Sequence, residues 1–568
     1  MAKRNVIVEL VHTRKLENNM TAALSSQDLT LDADAAPRLG PLDYDLSFPA
    51  LALPKLVRGE HPKDELYDLF ASVTFDTRPE VATYLIRGTV EEDDIPALND
   101  AAGRNRAVVN LYADATIETM AVCPSSPSVG SDADVERLLC TDLMRRREMD
   151  GSGVLVAVVD TGVNMAYLNS HGKTPTFDPA RSWAWNPAVV TPGNAPVNHG
   201  TMCAYDACIA APRCTILDIA LLHPLSVAPG GTLMSAMLSD AIRAYSHLLA
   251  VMTAPRRPGE NRSLVVSNSW GMFHPSWDFP VGHPGNYSDN PNHPFNRIVA
   301  TLERAGADIV FAAGNCGADC PDGRCSNLPG TPPVTTRAIY GANSSPAVTC
   351  VAGVDTMKVR AGYSAVGPGR LTERKPDICG YTHFRGSGVY SSDGGTSAAC
   401  PVISGVLGAI RSRRPYNAAD SSTSPAAIRN LLTSTAVDLG PSGYDFQHGY
   451  GVVDGCKIVD KVAGGPVIVD PCRRFPWLCD LCRRYPWICK GIPGWPPKPW
   501  VPGPGTGASD SATADPAQLA EAWPAFAEEG ESGEIPPEAF AYVLGLLAGQ
   551  RTAEPAKPEH RCSCGSKA

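Results

Sequence analysis

The residues whose types and surroundings best suit chemistry are Ser397, Asp160, His199 and Asn315. Ser397 follows a Gly-rich turn, Asp393 to Gly395, and precedes an apolar, helix-compatible run of Ala398, Ala399, Val402, Ile403, Val406, Leu407 and Ile410. Pro401 falls near the first turn of that helix, where its missing N–H costs little. Ser397 is therefore expected at a helix N-terminus, beside unpaired backbone N–H groups and the positive end of the helix dipole. Such a place can hold a developing oxyanion; the alternative is a serine that caps a core helix. Asp160 ends the apolar run V-L-V-A-V-V-D and is followed by Thr161 and Gly162. A carboxylate buried there needs partners, unless it is a turn aspartate. His199, in N-H-G-T, opens an apolar helix and would face a cleft, or serve structure alone. Asn315 closes D-I-V-F-A-A-G-N, where an apolar strand stops at a small residue and an amide; an ordinary strand-end turn is the alternative.

The elements that must position these groups follow from the apolar runs. The runs 154–160, 215–222, 263–271, 308–315 and 347–355 have the continuous character of strands buried on both faces. Helix-period segments lie between several of them, most clearly 232–252 and 295–306. This alternation predicts an α/β domain with a mostly parallel sheet, whose ligand site lies beyond the carboxyl ends of the strands. Asp160, Ser269 to Gly271 and Asn315 all fall at such ends.

Read together, D-T-G, H-G-T, A-A-G-N and G-T-S-x-x-x-P occur in the chain order of the subtilisin-like serine proteases (subtilases), which this sequence resembles over about residues 147–463. The resemblance extends to S-N-S-W-G at 267–271, similar to that family's substrate-binding strand. It implies a serine endopeptidase. Ser397 would be the nucleophile, His199 its base, and Asp160 the group that orients the imidazole. The amide of Asn315 and the N–H of Ser397 would hold the oxyanion. The backbone of Ser269, Trp270 and Gly271 would pair with an extended peptide, and Gly271 would leave room for a side-chain pocket. Trp270 and the segment after it suggest a pocket particular to this chain. Met202, Cys203, Ala204 and Tyr205 depart from the small and aliphatic residues usual after H-G-T, and Ala398 replaces the usual methionine after the serine. These departures bear on subsite shape and rate. The family often carries structural calcium, for which the sequence offers no assignable carboxylate cluster; otherwise no cofactor or metal is expected. A rival from another class is a catalytically silent subtilase scaffold that binds proteins. An aspartic protease, which D-T-G also suggests, would need a second such motif.

The chain has 568 residues, 43% of them hydrophobic, enough for several domains and a large core. A net charge of −10 without a long basic run argues against nucleic acid as partner, and no apolar run is long enough to span a bilayer. The expected partner is a protein or peptide substrate. The opening segment reads as a strand rather than a signal peptide, so the compartment is open, with reduced thiols in a cytoplasm as the default for the 18 cysteines.

The expected organisation is an N-terminal region at 1–125, propeptide-like by position, the peptidase domain at 147–463 and a tail at 464–568. Within the first, 66–120 has a strand–helix–strand pattern, with 106–118 read as a single strand. The Pro/Asn/His-rich insert 272–294 would rim the cleft; His274, His283 and His293 are irregularly spaced, more in keeping with loop histidines than with metal ligands. Cys316, Cys320 and Cys325 suggest a loop disulfide or free thiols. In the tail, C-R-R-F-P-W-L-C-D-L is followed by C-R-R-Y-P-W-I-C-K-G, a tandem repeat at 472–491 that suits either a protein partner or small disulfide loops.

Overall fold

The computed structural model describes residues 3–26, 30–58, 73–76, 78–119, 127–223, 234–254, 260–261, 263–327 and 330–464. The repeat at 472–491 and the rest of residues 465–568 lie outside the described residues.

The N-terminal module takes in strands well before residue 66. Its central strand, β1 (Lys3–Leu10), runs antiparallel to β6 (Thr83–Glu91) on one side and β7 (Val108–Ala113) on the other. β2 (Asp43–Tyr44) and β3 (Leu51–Leu53) extend the sheet beyond β6, and β4 (Lys55–Arg58) pairs with β5 (Val73–Asp76). Helices α1 (Arg14–Ser26) and α2 (Ile95–Arg104) send Leu16, Leu98 and Ala102 into one apolar cluster with Val6, Val8 and Leu10. The two-residue alternation of a strand puts Ile7 and Glu9 on the opposite face of β1.

The expected single strand at 106–118 is two strands. β7 ends at Ala113, Asp114 turns the chain, and β8 (Thr116–Thr119) leaves the module's sheet. Asp114 accepts from the backbone N and Oγ of Ser239, at 2.8 and 2.7 Å, and these bonds anchor the joint to helix α7 (Leu238–Thr253) of the larger domain.

Beyond residue 127, α3 (Asp132–Leu138) and α4 (Thr141–Arg146) lead into the main sheet. Its strands are β9 (Leu155–Asp160), β10 (Thr176–Phe177), β11 (Trp183–Ala184), β12 (Thr215–Ala220), β14 (Leu264–Asn268), β16 (Asp308–Ala312), β17 (Thr349–Val354) and β18 (Ile378–Tyr381). They run in the order β10-β12-β9-β14-β16-β17-β18, with β11 also on β12, and every pairing is parallel. This is the α/β architecture expected from the buried runs.

Helices α5 (Met165–Ser170), α6 (His199–Ala210), α8 (Pro294–Arg304), α9 (Thr396–Arg413), α10 (Pro425–Ser434) and α11 (Gly455–Ala463) complete the domain with α7. α9 is buried over nearly its whole length and crosses α6 closely: a Cβ on Gly405 would overlap the carbonyl of Ala207. That crossing brings the N-termini of the two helices, and so His199 and Ser397, to one place.

Among the described cysteines, Cys140 is joined to Cys456 and Cys316 to Cys325. This departs from the default of reduced thiols; the other described cysteines are all buried.

Candidate active site

Asp160 is the last residue of β9 and His199 the first of α6. Both are buried, and His199 Nδ1 lies 2.8 and 3.0 Å from the two carboxylate oxygens of Asp160. Thr161 and Gly200 lock this pair from behind. Thr161 N donates to Asp160 at 2.7 Å, and Gly200 N donates to Thr161 Oγ1 at 2.9 Å. An aspartate on Nδ1 fixes the tautomer that leaves Nε2 free to accept a proton. Nε2 is buried and has no hydrogen-bond partner among the described residues.

Ser397 is the second residue of α9, after Gly395, whose φ of 72° turns the chain into the helix. Ser397 Oγ donates to the carbonyl of Ser269 at 3.3 Å. Pro401 lies in the second turn of α9, not the first. Its missing N–H would have bonded the carbonyl four residues back, that of Ser397. That carbonyl instead accepts from Ser269 Oγ at 2.9 Å, so the proline ties the serine's backbone to the neighbouring strand end.

Asn315 follows β16 and Gly314, whose φ is 112°. Its Oδ1 accepts from Thr396 N at 2.9 Å and Thr396 Oγ1 at 3.0 Å. These bonds commit the oxygen end of the amide and leave the nitrogen end as the donor, one residue from Ser397. The structure thus brings Asp160, His199, Asn315 and Ser397 together beyond the carboxyl ends of the parallel strands.

Cys203, one turn into α6, places Sγ 3.7 Å from Asp160 Oδ2, His199 Nδ1 and the carbonyl of Ser397. Burial first, and then Asp160, push its thiol well above the ordinary range, so it remains a neutral filler beneath the histidine. Tyr205 donates to Asp132 Oδ2 at 2.7 Å, and Lys173 lies over its ring, so this departure from a small residue fastens α6 to the start of α3.

Ser269, Trp270 and Gly271 lie beside the serine. The strand β15 (Trp270–Gly271) pairs antiparallel with β8 of the N-terminal module, Trp270 opposite Thr119 and Gly271 opposite Glu118. On its other edge β8 pairs antiparallel with β13 (Ser235–Met237). An internal segment of the chain therefore fills the cleft as the middle strand of three. β13 was not legible as a cleft strand, because 232–252 read as one helical segment. The side chain of Trp270 lines no pocket. It turns into the core, donates to the carbonyl of Val159 at 2.9 Å and packs edge-on against Phe311.

The insert 272–294 joins the module more than it rims the cleft. Phe279 belongs to the module's apolar cluster, and Ala113 N donates to the carbonyl of Gly285 at 2.9 Å. His274 and His293 cap short helical starts, and His283 accepts from Gly285 N at 3.0 Å. Among the described residues, Asp160, His199 and Cys203 form the one grouping of three metal-ligating side chains. Calcium takes oxygen ligands, so a set with one nitrogen and one sulfur does not suit it. No helix among the described residues is long and apolar enough to cross a membrane.

A parallel α/β sheet with an Asp–His pair, a serine at a helix start and an edge strand paired with an extended segment of the chain make up the site. In comparison with known sequences, the Subtilase family (Peptidase S8) matches residues 151–451, and the chain belongs to that family. It is 24% identical over 330 residues to the "Calcium-dependent protease" of Trichormus variabilis, covering 55% of this chain and 46% of that one. It is 27% identical to "Subtilisin DY" of Bacillus licheniformis, covering 56% of this chain and 94% of the relative. "Fervidolysin" of Fervidobacterium pennivorans is 26% identical, with 54% and 40% covered. The chain thus spans about half the length, 46%, of each of two calcium-dependent proteases that it matches.

Proposed function

We propose that this chain is a serine endopeptidase that cleaves peptide bonds through an acyl-enzyme. Ser397 Oγ attacks the scissile carbonyl while His199 Nε2 takes its proton and later delivers it to the leaving amine. Asp160 holds the imidazole and stabilises its protonated form. The Asn315 amide and the Ser397 N–H stabilise the oxyanion; a donor of this kind is typically worth about 2.7–4 kcal/mol in the transition state. Water then hydrolyses the acyl-enzyme with the same histidine as base. Ser397 Oγ rests on Ser269 O rather than on His199; a short rotation about its Cα–Cβ bond aims it at the base, in keeping with catalytic bonds that tighten only on substrate.

One observation carries the reading: the chain's own segment Thr116–Thr119 lies in the cleft as substrate would, paired on both edges by backbone. Strand addition of this kind grips any extended peptide and fits an enzyme that cuts within chains. The N-terminal region then acts as a pro-segment, whose cleft strand precedes the bond to be cut in the stretch from Met120 to Pro127. Labelling with a serine-directed fluorophosphonate tests the nucleophile. Wild-type protein incubated until processed should take the label and Ser397→Ala should not; folded wild type without label would refute the reading.

A further inference from the structure

Backbone pairing to Gly271 and Ser235 cannot tell one substrate side chain from another. Along β8 the side chains alternate: Ile117 and Thr119 are buried on one face, and Glu118 points to the other. There Glu118 Oε2 accepts from Arg324 Nη1 at 2.8 Å, with both side chains only 14–15% exposed.

We infer that Arg324 is a specificity residue that selects an acidic side chain in the substrate, at the position Glu118 occupies in the cleft strand. The inference rests on the proposed endopeptidase function and deepens it. Arg324 does not owe its position to Glu118. Asp322 takes Nε and Nη2 in a fork, each bond 3.0 Å, and leaves Nη1 for another partner. The guanidinium lies 3.7 Å over the ring of Phe273, and Asp322 also caps the short turn that carries Arg324, accepting its backbone N at 2.9 Å. That turn hangs from the oxyanion residue itself: Asp322 N donates to the carbonyl of Asn315 at 2.9 Å, and Cys316–Cys325 closes the loop. A planar donor held along one edge by Asp322 and over one face by Phe273 is pre-organised for a carboxylate. The module's own Lys3 and Arg4 line the same cavity as Glu118, but Arg4 is engaged by Glu92 and the carbonyl of Ser276. On the peptidase side Arg324 reads this position, and it stays with the peptidase when the module is cut away.

The test uses internally quenched peptides with the sequence of residues 114–124, serine replacing Cys123, and the full chain incubated until processed. The parent peptide is compared with Glu118→Gln and Glu118→Lys versions. For wild-type protein we expect kcat/KM for the Glu peptide to exceed that for the Gln peptide by about tenfold, the usual reach of a charge-assisted hydrogen bond, with the Lys peptide poorer still. Arg324→Glu should invert the order, so that the Lys peptide overtakes the Glu peptide. Glu and Gln peptides cut within about twofold of each other by wild type would overturn the inference while leaving the endopeptidase intact. The wild-type ratio decides alone if the variant fails to fold. No peptide cut, together with no fluorophosphonate label, would overturn both.

Discussion

Glu9 of the N-terminal module and Arg297 of the peptidase-side helix α8 form an ion pair of 2.7 Å in which the carboxylate is 1% exposed. Tyr112 and Thr83 donate to the same carboxylate, at 2.8 and 2.5 Å. Removing one partner strands the other in a dry interface, which typically costs about 3–5 kcal/mol, whereas removing both charges is often neutral. Arg297→Met should therefore lower the melting temperature of the full chain and loosen the cut module in size-exclusion chromatography. Adding Glu9→Gln to that variant should recover most of the loss.

The same interface carries a pH dependence with a definite sign. His293 Nε2 donates to the carbonyl of Ala113 at 2.9 Å and its Nδ1 accepts from Phe295 N at 3.2 Å, so the ring is neutral. Burial, with Arg297 adding to it, lowers its pKa from 6.5 to about 3. The unfolded chain takes up this proton near 6.5 and the folded chain resists until about 3, so this stability is present above 6.5 and is lost as pH falls. Asp114 acts oppositely: burial raises it from 3.8 to about 6, and its destabilising charge is relieved as pH falls through that window. Thermal melts should show wild type losing stability from pH 7 to 6. Asp114→Asn should prolong the loss below pH 6, and His293→Gln should remove its first part.

Asp206, on α6 below His199, is fully buried, and its carboxyl meets that of Asp393 in a side-chain hydrogen bond. Burial, then the neighbouring Asp393, push its pKa well up, so it is held as the neutral acid beside Asp393. Asp393 accepts from the N and Oγ of Ser387 and sits two residues before the Gly395 turn that opens α9. A carboxyl whose pKa is raised on folding loses stability as pH rises toward its folded pKa. Asp206→Asn supplies a neutral donor without a proton to lose, so it should leave the melting temperature at pH 8 unchanged or raised. Asp393→Ala orphans the Ser387 donors and should cost about 1–3 kcal/mol by denaturant titration.

Much of this was legible in the sequence because it is written locally. Strands buried on both faces read as unbroken apolar runs, and Asp160, His199, Asn315 and Ser397 each stand where such a run stops or a helix starts. Other features depend on contacts distant in sequence. β7 and β8 share one continuous pattern, and only the pairing of β8 with Trp270 and Ser235 separates them. The inward turn of the Trp270 indole was hidden because a strand's period does not say which face meets the core. Arg324 carried no signal beyond one more charge in a Cys-rich loop, since its role comes from Asp322, Phe273 and a glutamate from the N-terminal module. Phe279 likewise reads as loop until the module's apolar cluster surrounds it.

In the proposed reaction Ser397 cuts the chain just after the strand lying in its own cleft. Intact mass and N-terminal sequencing of the purified full-length protein test this most directly. Wild type should yield a new N-terminus in the stretch between Thr119 and Pro127, and Ser397→Ala should remain uncut there. A folded wild-type protein that never cuts in this stretch, or a Ser397→Ala variant that cuts there as readily, would contradict it.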